Sequence, residues 1–340
     1  MPSPSMESNA TTQNRTQRTE DCTWPPSSAR MPRWPKGSSL WVGGFASEDI
    51  SRQRSLVKVL LVNCGDVATE AGLRLQQEGH RVTGWRRNSQ KLPAGFTGHS
   101  VDLLDAAQWP SIDPQTEIVV LTPVPATRDA DGYTRGYLQV AKELASRLAA
   151  QCPNLRRLIY VSSTAVMGGA NGELVDESAP LAPASPTAQV LAHTEAALAG
   201  SGLPVTILRA SGIYGPGRTR LIDHVTAGAA QIPAGSHWTN RIHRDDLAAA
   251  IVHVAALGEQ AAGLYLASDS TPAQLGEVYQ FLAKELHLPA PEEAGQAPAR
   301  RAADRRLDNS KLLASGLELQ YPGFTEGYRA ILAGTSTRHA

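Results

Sequence analysis

From Leu56 onward, apolar and polar residues follow two rhythms. Short β-branched and leucine-rich runs have the length and composition of buried parallel strands: LVKVLLVN from Leu56, RVTGW from Arg81, EIVVLT over 117–122, LRRLIYVSS over 155–163 and LPVTILRAS over 203–211. Between them, apolar residues spaced for one helical face predict helices over Val67–Glu78, Gly136–Ala150, Ala188–Ala199 and Asp245–Leu257. Gly79 sits where a left-handed residue closes the first helix. Strands alternating with helices make βαβ units, so the predicted fold class is α/β, a doubly wound parallel sheet. No internal repeat interrupts this order.

Residues 1–55 break the rhythm. They hold 10 Ser and 6 Pro and no sustained period. Such a segment buries too little apolar surface to offset its ordering entropy, which predicts a disordered N-terminal extension. Trp24, Trp34 and Trp41 leave a docking segment open beside an unstructured leader with Met6 or Met31 as later starts. Over the whole chain of 340 residues, 32 Lys+Arg balance 32 Asp+Glu. That balance lacks the basic excess of a nucleic-acid binder. No run approaches the roughly 20 apolar residues of a membrane span, and no signal-peptide core opens the chain. Cys22, Cys64 and Cys152 share no C-x-x-C spacing and the histidines no H-x-x-x-H, so neither a disulfide framework nor a metal is expected. The expectation is a cytoplasmic protein handling a small-molecule substrate, with no nucleic-acid or membrane partner.

The first strand runs into Asn63-Cys64-Gly65-Asp66-Val67-Ala68 and then a helix. This is the context of G-x-G-x-x-G, whose backbone N–H groups meet a pyrophosphate at a helix N-terminus. Gly65 is the middle glycine, and Ala68 is an accepted third residue because that position packs helix on strand. Asn63 departs from the pattern, although Asn tolerates positive φ better than most residues. The second strand ends in Arg86 and Arg87, with no acidic residue between Gly79 and Val101. An NAD site places a carboxylate on the ribose 2′-hydroxyl there, whereas guanidinium groups suit a 2′-phosphate. The cofactor expected is NADP, with NAD the alternative.

Three blocks carry a family resemblance: ILRASGIYGPGR (Ile207–Arg218), NRIHRDDLAAAI (Asn240–Ile251), and YVSSTAVMGG through GELVDESAPLAP (Tyr160–Pro183). Over roughly residues 56–334 the chain resembles an extended short-chain dehydrogenase/reductase of the NAD-dependent epimerase/dehydratase type. The resemblance implies a Rossmann domain over 56–205 plus about 240–266. It implies a smaller interleaved C-terminal substrate domain over about 206–239 plus 267–334. It places Asp102 and Leu103 by the adenine, Thr122 and Ser162 by the ribose–nicotinamide half, and Ser163 against the substrate oxygen.

The same resemblance calls for a Tyr and a Lys four residues later. A phenol, with a pKa of roughly 10, needs a neighbouring cation to act as a base at neutral pH. Thr187 and Leu191 occupy those two positions, and none of the eight tyrosines has Lys four residues on. The chain is thus similar to an atypical branch lacking the Tyr/Lys pair. His193, offset from Leu191, points away from the face in question. His243 reads as a structural hydrogen-bonding residue, Asp245 as an N-cap and Glu177 as a loop anchor. Arg218 either binds a substrate phosphate or carboxylate or pairs with Asp223 or solvent. The function expected is an NAD(P)-binding oxidoreductase or epimerase-like protein acting on a small or sugar-like substrate. The alternatives are a non-catalytic NADP(H)-binding redox sensor or regulatory protein, and a scaffold that Asn63 has cost its cofactor. The Ala/Leu-rich helices over 136–150 and 188–199 allow a monomer or a homodimer.

Overall fold

The structure, a computed structural model, describes residues 56–294, 304–335 and 337–339. The disorder expected over 1–55 lies outside the described residues. The centre is a seven-stranded sheet of β1 (Lys58–Val62), β2 (Arg81–Arg86), β3 (Thr97–Ser100), β4 (Thr116–Leu121), β5 (Arg157–Ser163), β6 (Val205–Ala210) and β7 (Leu264–Ala267). Their order is β7-β6-β5-β4-β1-β2-β3, and every pairing is parallel. The chain leaves β1 toward one edge and later restarts at β4 toward the other. The crevice between β1 and β4 is the switch point at which such sheets bind ligands.

Helices cover both faces. Helix α1 (Asp66–Gln77) packs Ala68, Ala71 and Leu75 against Val59 and Leu61, together with Leu247, Ile251 and Val254 of a later helix, Arg244–Leu257. On the opposite face α2 (Val140–Gln151) brings Leu144 and Leu148 onto Val119, Leu121 and Leu158, and Leu198 of α3 (Pro186–Ala199) joins them. Burial on both faces explains why the strands read as unbroken apolar runs. Each buried Leu, Ile or Val is worth about 1.5–3 kcal/mol of transfer free energy. Gly79 ends α1 with φ +92°, as its position predicted.

Two strands were not legible. β3 is an exposed edge strand, Thr-Gly-His-Ser, without an apolar run, and β7 is only four residues long. The helix expected from Gly136 begins earlier: a turn over Ala130–Tyr133, capped by Asp129 accepting from the Gly132 N–H at 2.7 Å, leads into a π-helical turn over Thr134–Gln139. The helix Arg244–Leu257, α4 below, is capped by His243 and not by Asp245; the His243 Nδ1 accepts from the Asp245 N–H at 3.2 Å. A separate apolar cluster of Tyr214, Val278, Leu282, Phe324 and Tyr328 joins helices Leu275–Glu285 and Phe324–Leu332 beyond the sheet.

Candidate functional site

β1 delivers the phosphate loop to the switch point. Asn63 has φ +61°, so it takes the left-handed conformation that a first glycine supplies elsewhere. What holds it there is β4. Asn63 Nδ2 donates to the Thr122 carbonyl at 2.7 Å, and Thr122 Oγ1 donates to the Asn63 carbonyl at 2.8 Å. Two polar side chains thereby latch the two strands that flank the crevice. Cys64 lies inward, fully buried, with burial pushing its thiol up to about 11, so it is packing and not a nucleophile. Gly65 faces open space: a Cβ there would meet only the Asn63 carbonyl, 3.8 Å away. Gly65 also precedes α1 without any side-chain cap, so the first N–H groups of a 12-residue helix point outward with the positive end of its dipole.

Beside the loop a cavity of about 150 Å³ is lined by Asn63, Arg87, Asp102, Leu103, Ala126 and Val140 among others. Four residues expected at a dinucleotide therefore converge: Asn63, Arg87, Asp102 and Leu103. Arg87 is exposed, and Arg86 is half-buried with Nη1 donating to the Lys91 carbonyl at 3.4 Å. A groove of about 640 Å³ lies at the other end of the sheet, among Lys58, Arg81 and Glu117 at strand N-termini. We place no site there, because ligands of parallel sheets bind at strand carboxyl ends.

Asp66, at the first position of α1, has become an ion-pair centre. Its carboxylate takes Arg218 on one oxygen and Arg244 Nη1 at 2.5 Å on the other. Arg218 thus points back to the phosphate loop, away from the Asp223 partner considered for it. Arg244 is 1% exposed and also reaches Asp245 Oδ1 at 2.5 Å. Val67 packs in the core beneath.

The serine half is built differently. Ser162 is buried and donates to Glu195 Oε1 at 2.6 Å, and Glu195 takes Arg209 Nη2 at 2.8 Å. Its hydroxyl is therefore engaged inside the protein. Ser163, on the opposite side of the strand, is half-buried; its Oγ accepts from the Ala165 N–H at 3.1 Å, and its own hydrogen has no acceptor among the described residues. Leu191 is 5% exposed and packs with Val166, Met167, Leu266 and Leu307. Tyr133 and Tyr137 lie against that cluster, stacked at 5.0 Å with planes 6° apart. Thr187, half-buried near the start of α3, contacts Ser185 Oγ at 3.1 Å. Burial pushes Tyr137 up to about 12, so it is a poorer base than a free phenol.

Sequence reasoning passed over three contributors. The Tyr133/Tyr137 pair has the i, i+4 spacing that would have announced it. Arg244 and Arg305 carry no such local signal. Arg305 is 3% exposed and donates to the carbonyls of Met167 at 3.1 Å, Gly168 at 2.9 Å and Thr164, so it clamps the loop that follows Ser163. Glu177 anchors a loop as expected, accepting from the Leu266 N–H at 2.7 Å. His193 is exposed, and His243 is enclosed by Tyr214 and Tyr321, where burial lowers its pKa.

The arrangement can bind a dinucleotide and present one hydroxyl to a substrate oxygen. Among the described residues it holds no phenolate–lysine pair to move a proton. Known proteins resemble this chain in sequence and in fold. The model of the NAD dependent epimerase/dehydratase family matches residues 71–264. "Protein YeeZ" of Escherichia coli is 28% identical over 279 residues, covering 78% of this chain and 96% of that protein. The "3-diazoavenalumate denitrifying reductase" of a Streptomyces species is 27% identical over 248 residues, 67% of this chain and 80% of the relative. A solved structure described as an NAD-dependent epimerase/dehydratase from Methylobacillus flagellatus is 34% identical with TM-score 0.69, covering 83% of this chain and 99% of its own.

Proposed function

The chain belongs to the NAD-dependent epimerase/dehydratase family, and from that footing we propose that it is an NADP(H)-binding oxidoreductase of a small or sugar-like substrate, working without a Tyr/Lys pair. One observation carries the cofactor half: Arg87 shares a cavity with Asn63, Asp102 and Leu103 beside a glycine open to solvent. The residues fit the group. Gly65 and the first turn of α1 would take the pyrophosphate, Asp102 and Leu103 the adenine side, and Arg87 with Arg86 a 2′-phosphate. Bound nicotinamide supplies hydride chemistry at the carboxyl ends of the strands.

The chain's own residues then have limited duties. Ser163 would orient the substrate oxygen with its free hydrogen, and Arg305 would keep its loop in place. No side chain at the Leu191 position can lower a phenol's pKa, so the reaction must suit an acceptor that draws its proton from water or needs none. The Streptomyces relative, a reductase by name, supports reduction as the reaction class. The apolar closure over Leu191, Val166 and Met167 favours a second role, an NADP(H) sensor without turnover.

Screening NADPH consumption against carbonyl, quinone and diazo acceptors decides between them. Consumption that disappears in a Gly65→Val variant supports the oxidoreductase. Saturable NADPH binding with no consumption by any acceptor contradicts it and leaves the sensor.

A further inference from the structure

The segment Thr337–His339 lies against the first turn of α1. The His339 N–H donates to Asp66 Oδ1 at 3.0 Å, and its Nε2 is 2.7 Å from Glu70 Oε2. The Thr337 carbonyl accepts from Arg244 Nη2 at 2.6 Å. Arg338 is draped over Gly217 in the Tyr-Gly-Pro-Gly-Arg loop, so closely that a Cβ at Gly217 would collide with its side chain. Three distant pieces of chain, the phosphate-loop helix, the 214–218 loop and the start of α4, are thus tied together by one short segment.

We propose that Thr337–His339 is a strap across the phosphate mouth of the dinucleotide site, with Arg338 an additional cation for the bound phosphates. The inference rests on the dinucleotide reading above. Charge gives the reason. A pyrophosphate arriving at Gly65 meets Asp66 and Glu70, one turn apart on the same helix. The helix end offers only about half a positive charge. Arg218 and Arg244 already bind Asp66, and Arg74 holds Glu70 at 2.8 Å. The strap places a further N–H on Asp66 and an imidazole on Glu70. It also brings a guanidinium that no carboxylate engages among the described residues. Thr337 and Arg338 are exposed and His339 is only half-buried, so few buried contacts oppose opening. A segment that opens at low cost and adds a cation when closed slows ligand release more than it affects entry.

The test compares the full chain, the chain ended after Gly334, and the full chain carrying Arg338→Ala or His339→Ala. NADPH fluorescence gives the equilibrium affinity, and rapid mixing gives the release rate. Loss of the segment should speed release about tenfold, and Arg338→Ala alone about threefold to fivefold, as for a charge-assisted contact. Association should change little. Because Arg338→Ala keeps the strap's backbone, its effect stands even where the shortened chain loses stability. Release rates unchanged in every variant, or tighter binding by the shortened chain, overturn the strap. Absence of saturable NADPH binding by the full chain overturns instead the dinucleotide reading beneath it.

Discussion

The two ends of the β1–β4–β5 crevice diverge in how they spend polar groups. At the phosphate loop, polar side chains hold backbone in an unusual conformation and leave space in front of it. Asn63 sits at φ +61° because Thr122 latches it, and Gly65 opens onto solvent. At the serine loop, polar groups are consumed internally, Ser162 by Glu195 and the loop carbonyls by Arg305, and Leu191 and Met167 fill the remaining space. One end is built to receive a ligand. The other is built mainly to hold its shape, with Ser163 the hydroxyl left over. On the proposed function, binding and proton transfer are separable in this fold, and this chain keeps residues suited to the first.

The comparison breaks most visibly at Glu195. Glu195 and Arg209 side chains are 4% and 6% exposed, and removing one leaves a buried charge. Glu195→Ala should cost roughly 3–5 kcal/mol, seen as a large drop in melting temperature. A small drop would mean that the serine end is not held by this pair. At the phosphate end the expected effect is on binding alone. Gly65 has φ −90° and ψ −164°, which any residue can adopt, so Gly65→Val should fold normally. It should nonetheless lose about 100-fold in NADPH affinity, ~2.7 kcal/mol. Normal affinity in that variant would place the pyrophosphate elsewhere.

Much of this contrast was readable beforehand, and the reason is local chemistry. β1, the loop and α1 announce themselves because an apolar run, a turn residue and a helical period follow one another within 20 or so residues. The absence of Tyr and Lys at Thr187 and Leu191 is equally local. What replaced them is not. Arg218 and Arg244 reach Asp66 across 152 and 178 residues of sequence, and no spacing rule connects such positions. Ser162 could be placed on β5, but its burial against Glu195 depends on how α3 packs, which only tertiary structure decides. β3 went unseen for the opposite reason: an exposed edge strand carries no apolar signature to read.

Smaller effects sharpen the comparison. Arg87→Ala should weaken NADPH by about tenfold and leave NADH unchanged, because only the 2′-phosphate contact is lost. Equal losses for both would assign Arg87 a general electrostatic role. Asp269, 1% exposed and pushed up to about 7 by burial, lies in neither end and serves as a control. A carboxyl that stays protonated in the fold but ionises when unfolded makes stability fall as pH rises from about 4 toward 7. Asp269→Asn should flatten that fall, measured by denaturant unfolding across the range, without changing NADPH affinity.

Paired titration of the full chain with NADPH and NADH, followed by nicotinamide fluorescence, tests the separation of binding from proton transfer at its root. The expected result is saturable binding of both, with NADPH the tighter by about tenfold, as a charge-assisted 2′-phosphate contact requires. No saturable signal at millimolar cofactor, or equal affinity for the two, would contradict it.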